Sequence, residues 1–405
     1  MVVQFFHKLF NAESLKNSSN LIRFAISRKI GTMTNYKIRK YKTALNRMKH
    51  IDSWFWCRYS LNPYQGCEHA CIYCDARSKR YYLQDDFEEK IIVKKDIDKV
   101  LENQILGSKR FERDVVAMGG VCDSYAPVEL KYKNTQKVLK VLEKHGFPLG
   151  ISTKSTNIER DLSLLNRIAQ RSWCNVAFTI TSFDEEVVNF LEPNASPPKE
   201  RIEVLKKIKE NYPSIQTGIN LMPIIPYLED TRENLETIFK KAQEANVDYI
   251  LHAPGLTLRD IQKDFFIDRL KKEYPNILDK LLSLYVDGIE VNREYAMKIS
   301  QIALELYEKY QISMRAKRWI PEDYRKYNYL IAENLLNNSY KKQITGKPYK
   351  QEMWAGFYVQ NLKESIINLK NSGKIPQRLR NNTQFLEELN KYQDVQLKGT
   401  LDKFF

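Results

Sequence analysis

The stretch NPYQGCEHACIYCDAR, residues 62–77, sets Cys67, Cys71 and Cys74 within eight positions. The spacing is Cys-x3-Cys-x2-Cys. A structural zinc site closes a tetrahedron with four protein ligands. His69 would complete such a set, but it sits between two of the cysteines, in a cramped position. Cys57, Cys122 and Cys174 lie elsewhere, and none forms a second Cys-x2-Cys pair. The other arrangement is a four-iron, four-sulfur cluster on three thiolates, which leaves one iron open to a ligand that is not protein.

Working outward, short apolar runs alternate with helical patterns. Strands are expected at residues 59–64, 114–120, 148–154, 175–181, 216–225 and 247–253, and helices at 135–146, 159–171, 197–212 and 231–246. Repeated strand–helix units imply a parallel sheet with crossover helices. The fold class is α/β. A partial (βα)6, TIM-like barrel fits best, and a doubly wound open sheet is the runner-up. In either, chemistry gathers at the carboxyl ends of the strands. The cysteine loop follows strand one, Gly119 and Gly120 end strand two, and Lys154 ends strand three.

The net charge of +15 is unevenly spread. Residues 1–50 carry +10, with Glu13 their only acid, and residues 315–350 carry +6. Residues 51–314 are close to neutral at −3. We read 1–50 as a basic arm, of which 1–32 either is disordered or precedes a native start at Met33. Residues 51–256 are the barrel, and 257–405 a helical accessory and C-terminal region whose tail, from 360, is read as loosely attached. Basic ends suggest a polyanion partner. Scattered cysteines argue against a secreted disulfide scaffold and for a cytoplasmic protein. No run of about eighteen apolar residues is present, so no membrane span is expected.

The wider string resembles the radical S-adenosylmethionine (SAM) superfamily, in its spore photoproduct lyase-like branch, whose pattern reads roughly NPY-x-GC-x-H-x-C-x-YC-Y-AR. Residues 119–129 (GGVCDSYAPVE), 152–165 (STKSTNIERDLSLL), 178–205 and 220–230 (NLMPIIPYLED) are similar to successive segments of that branch. The resemblance spans roughly residues 58–255. It implies a radical SAM barrel with a [4Fe–4S] cluster on Cys67, Cys71 and Cys74, and SAM chelating the open iron. Reductive cleavage of SAM would give a 5′-deoxyadenosyl radical that abstracts a substrate hydrogen. It further implies that Gly119 and Gly120 let the backbone approach SAM, that Asp123 accepts from the methionyl ammonium, and that Lys154 meets the carboxylate. Thr179 would bond the ribose, Tyr73 and Met222 would line the adenine, and Arg201 would pair with Glu192 or the cofactor. A reductant such as a flavodoxin or ferredoxin is implied as partner.

Two positions depart from the branch. Its donor cysteine aligns with Val121, so Cys122 is a candidate hydrogen donor one residue out of register. Asp75 replaces an aromatic residue. Residues 313–358 mix Arg and Lys with Trp and Tyr, a composition that either grips splayed bases or packs helices onto the barrel; packing is favoured. The substrate is open, with nucleic acid the leading candidate. The rival reading is a non-catalytic nucleic-acid-binding protein with a structural zinc or redox-sensing cluster.

Overall fold

The computed structural model describes residues 34–81, 87–107 and 111–392. The expectations for residues 1–32 and for the end of the tail lie outside the described residues. Among the described residues there are ten strands: β1 (Asn35–Arg39), β2 (Asn46–Arg47), β3 (Tyr59–Ser60), β4 (Tyr64–Gln65), β5 (Lys90–Lys94), β6 (Val116–Met118), β7 (Leu149–Thr153), β8 (Cys174–Thr179), β9 (Gln216–Ile224) and β10 (Tyr249–Pro254). Seven form one sheet in the order β10-β9-β8-β7-β6-β3-β2. From β3 to β10 every pairing is parallel, and β2 closes the far edge antiparallel. The sheet is therefore open, a partial (βα)6 arrangement with six parallel strands.

Local sequence explains these elements. All six residues of β8 are buried, as expected of a parallel strand covered on both faces. The Leu162–Arg171 helix buries Leu162, Leu164, Leu165 and Ile168 on one face. The Pro198–Asn211 helix opens on a proline, whose missing N–H costs nothing in the first turn. Thr231 accepts from the Asn234 amide to cap the Arg232–Glu244 helix.

The first expected strand, residues 59–64, is split. Tyr59–Ser60 joins the main sheet, whereas Tyr64–Gln65 pairs with β5 in a small second sheet of order β1-β5-β4. Pro63 interrupts the run, since it has no N–H for a ladder. Part of the basic arm is likewise structured, as β1 pairs in parallel with β5.

The accessory region is helical, led by Asp260–Glu273, Pro275–Ser283, Arg293–Tyr310, Lys326–Ile344 and Lys350–Val359. The tail is not loose as far as residue 392. Ile366, Ile367, Leu379, Phe385 and Leu389 are buried with Ile331 and Leu335 of the Lys326–Ile344 helix. The first part of the basic, aromatic segment packs inward. Arg318 lies 3.8 Å over Tyr329, Arg315 4.8 Å over Trp56, and Arg58 meets Asp114 at 2.7 Å, all buried. Cations stacked on rings bury charge that water would otherwise solvate.

Two contacts fix the sheet for function. Gly119, at the end of β6, has φ +91°, and a Cβ there would stand 1.9 Å from the Ser152 carbonyl oxygen of β7. His252 of β10 is fully buried, with Nδ1 3.0 Å from the Tyr307 hydroxyl and 3.3 Å from that of Tyr340. Burial pushes its imidazole down to about 4.

Gly119→Ala is expected to destabilise the fold by about 3 kcal/mol or more, read as a drop in thermal midpoint, because backbone must move to admit the methyl. His252 gives a pH effect of defined sign. An unfolded histidine takes its proton near pH 6.5 and the folded one only near 4, so stability is full at neutral pH and is lost as pH falls between those values. Urea unfolding should show about 2 kcal/mol more loss between pH 7 and pH 5 in the wild type than in His252→Asn.

Candidate functional site

The carboxyl ends of β6, β7, β8 and β9 open on a cavity of about 450 Å³, and the cysteine loop forms its facing wall. Cys67, Cys71 and Cys74 all line it. The loop is held from two sides. Cys67 donates its amide to the Phe87 carbonyl at 2.9 Å. On the other side, the turn that follows the Glu185–Leu191 helix grips it through several contacts. The Ile72 amide donates to the Leu191 carbonyl at 3.0 Å, and Asn194 donates its side-chain amide to the Glu68 carbonyl at 2.9 Å. Tyr73 donates its hydroxyl to Glu192 in a short hydrogen bond.

Glu192 and Arg201 form a buried ion pair at 2.5 Å, and Arg201 also donates to the carbonyls of Ser196 at 2.6 Å and Thr179 at 2.7 Å. Burial raises the Glu192 pKa, but Arg201 and Lys154 outweigh it and hold the carboxyl below its ordinary range. Arg201 does not line the cavity. Of the two roles expected for it, the geometry gives pairing with Glu192, because three acceptors already occupy the guanidinium behind the β8 end.

Lys154 reaches into the cavity from the end of β7, its ammonium 5.4 Å over the Tyr73 ring. Burial lowers its pKa, but Cys71 and Glu192 raise it further, so the lysine stays charged. Burial also pushes all three thiols up, Cys71 to about 12, while the Lys154 charge opposes this at Cys71 and Cys74. Thiols in this state bind only a centre electropositive enough to displace their protons.

Tyr73, Gly119, Gly120, Cys122, Asp123, Thr179 and Met222 line the same cavity. Asp123 is already heavily engaged. It accepts from the amides of Tyr125 and Lys154 at 2.8 and 2.7 Å and from the Thr153 hydroxyl at 2.8 Å, with His69 Nε2 3.2 Å away. Burial raises its pKa, yet His69 and these donors bring it to about 2. Asp123 thus ties β7 to the cysteine loop. Cys122 lines the wall, but its Sγ lies 3.0 Å from the Tyr64 carbonyl, to which it donates, and burial pushes it up to about 12. Asp75, the second departure, pairs with Arg259 at 2.8 Å and accepts from Tyr81 at 2.6 Å, so it locks the loop to the accessory region.

Residues the sequence reading missed also face this space. Asn220 of β9 pairs in register with Thr179 and donates to Ser152 at 3.0 Å. Its signal was a polar residue two before Met222, hence on the same face of an apolar strand. His69, weighed above as a zinc ligand, lines the wall from within the cysteine loop, and Arg259 lines it too, brought there only by the fold.

The donor set suits a cluster with a small-molecule ligand. Among the described residues, no three or more His, Cys, Asp or Glu side chains close round a single metal ion. The three thiols instead open on shared space, where they would hold a four-iron cluster. A Cβ on Gly120 would meet no atom within 4 Å, so the backbone there is bare to the cavity. No helix among the described residues is long and apolar enough to cross a membrane.

Comparison with known proteins agrees with this geometry. Residues 61–238 match the family model described as the Radical SAM superfamily. The uncharacterized protein Rv2578c of Mycobacterium tuberculosis is 28% identical over 276 residues, covering 67% of this chain and 80% of that one. Uncharacterized protein ORF301 of Acidianus two-tailed virus is 27% identical over 277 residues, covering 64% and 82%. Among solved structures, a mutant of spore photoproduct lyase superposes with TM-score 0.51 at 17% identity, over 68% of this chain and 79% of that one. The same enzyme complexed with dinucleoside spore photoproduct gives 0.50 at 16% identity, over the same shares. These two share the fold. With the three thiols, the bare glycine and the charged lysine on one cavity, residues 61–238 form a radical SAM domain, the kind of domain that binds a [4Fe–4S] cluster and SAM.

Proposed function

We propose that Cys67, Cys71 and Cys74 ligate the cluster and that SAM lies between them and the ends of β6 to β9, poised to abstract hydrogen from a nucleic-acid substrate. One observation carries the reading: three thiols of a single loop share a cavity with a bare glycine backbone and a charged lysine. When bound, the cluster and SAM supply a 5′-deoxyadenosyl radical by one-electron reduction. The chain's residues do the rest. Lys154 offers its charge to the SAM carboxylate. The Gly119–Gly120 backbone would let the cofactor approach closely, Thr179 and Asn220 would bond the ribose, and Tyr73 and Met222 would wall the adenine. Asp123, with its oxygens already occupied, acts mainly by orienting the Lys154 backbone and His69. Arg201 acts through Glu192, as a positioning residue. Cys122 remains a candidate hydrogen donor only if its thiol leaves the Tyr64 carbonyl.

The nucleic-acid assignment draws on the charge map and on the dinucleoside photoproduct held by the spore photoproduct lyase structure. A flavodoxin- or ferredoxin-type reductant supplies the electron. Six free cysteines and an oxygen-sensitive cluster suit a reducing cytoplasm.

Anaerobically reconstituted protein should be brown, with close to four irons per chain, and should release 5′-deoxyadenosine from SAM with dithionite. Cys71→Ala should lose both colour and cleavage; cleavage retained in that variant, or a colourless wild type carrying one zinc, contradicts the reading. Gly120→Leu should keep the wild-type thermal midpoint and iron content but bind SAM at least about tenfold more weakly, as measured by calorimetry, because the side chain fills cofactor space.

A further inference from the structure

A second cavity, about 1170 Å³, lies between the end of β10 and the accessory helices Arg293–Tyr310, Lys326–Ile344 and Lys350–Val359. It shares Ala253, Gly255, Leu256 and Thr257 with the cofactor cavity. The adjacent pair Trp54 and Phe55 divides the same way, with Trp54 lining the large cavity and Phe55 the small one. The two spaces thus adjoin along these shared residues. A radical acts only on an atom it touches, so the substrate must sit beside the cofactor.

We propose that this larger cavity is the substrate chamber and that it seats an anionic, ring-bearing unit: a nucleotide within a single strand. The inference rests on the radical SAM reading of the first cavity. Size comes first. At about 1170 Å³ the chamber exceeds the range of roughly 300–1000 Å³ usual for small ligands, which suits a segment of polymer.

Charge comes second. Lys342 is neutralised by Glu352 at 2.5 Å. Arg293 donates to the Gly346 carbonyl at 3.0 Å, which fixes its guanidinium at the wall. Lys347 and Lys350 are exposed on the lining and make no ion pair among the described residues. Glu290 is the one remaining acid on the lining, so the chamber keeps an excess of positive charge.

Rings come third. Trp54 stands edge-on to Tyr340 at 5.8 Å, and Tyr349 faces the same space. Rings beside free ammonium groups suit a base and its phosphate together. His252 also lines the chamber; burial keeps it neutral, so it contributes no part of the positive charge.

The test is calorimetric binding of a short single-stranded oligothymidylate, and of an oligouridylate of equal length, to the full-length reconstituted protein across about 50–200 mM salt. The two arms distinguish DNA from RNA. Lys347→Ala with Lys350→Ala should weaken binding at least about tenfold at low salt and lower the salt slope by about 1.4. Lys206→Ala with Lys207→Ala, on the Pro198–Asn211 helix, should leave binding unchanged. Trp54→Leu should weaken binding without altering that slope; should it fail to fold, the lysine pair still decides. Equal affinity in wild type and the Lys347/Lys350 variant, equal loss in the Lys206/Lys207 variant, or equally tight binding of polyglutamate would overturn the chamber. The two readings separate cleanly. Oligonucleotide bound without 5′-deoxyadenosine release faults the cofactor site, and release without binding faults the chamber.

Discussion

Glu192 is a carboxylate shut away from water, and the site depends on its staying charged. Arg201 meets it at 2.5 Å, Tyr73 donates to it, and the Lys154 charge lies close enough to stabilise it. Each partner belongs to a different part of the site: Tyr73 to the cysteine loop, Lys154 to the end of β7, Arg201 to the helix behind β8. One buried charge therefore sets the distance between the thiols and the strand ends. Taking away one partner of such a pair costs about 3–5 kcal/mol, because the other charge is left buried and unmatched. Beside the pair, Glu229 is a further buried carboxyl, pushed up to about 8 by burial, so it is largely protonated and does not compete for the same cations.

The alternation of strands and helices was legible because parallel strands buried on both faces read as apolar runs. Observed boundaries differ from expected ones by a few residues, as at β8, where Cys174–Thr179 replaces 175–181. The failures have physical causes. Residues 59–64 hold two strands from two sheets, and only tertiary pairing reveals the break. The KIIVK run of β5 and its partner β1 form a parallel pair far apart in sequence, which no local pattern announces. The tail looked polar, yet Ile366, Ile367, Leu379, Phe385 and Leu389 are buried in one cluster with Ile331 and Leu335 of the Lys326–Ile344 helix.

The site shows the same division. Cysteine spacing, paired glycines and a lysine at a strand end were readable as residues. Their gathering at the carboxyl ends of the strands was readable too, but the hydrogen bonds that already occupy Asp123 were not. Arg201 illustrates the limit: its charge suggested either of two partners, and three buried acceptors decide for the internal one. Asp75 pairs with Arg259, which lies 184 positions away in sequence, as well as with nearby Tyr81. The accessory region thereby does more than cover the barrel, since it braces the cysteine loop and supplies most of the larger cavity's wall.

The central claim is that three thiols hold a cluster with one position left for SAM. The most direct measurement is electron–nuclear double resonance on the dithionite-reduced protein with SAM labelled with nitrogen-15 at its amino group. The account predicts a nitrogen hyperfine coupling that shows the label bonded to iron, present in the wild type and absent without SAM. No coupling from the label, or a coupling from a protein nitrogen that fills the same position, would contradict it.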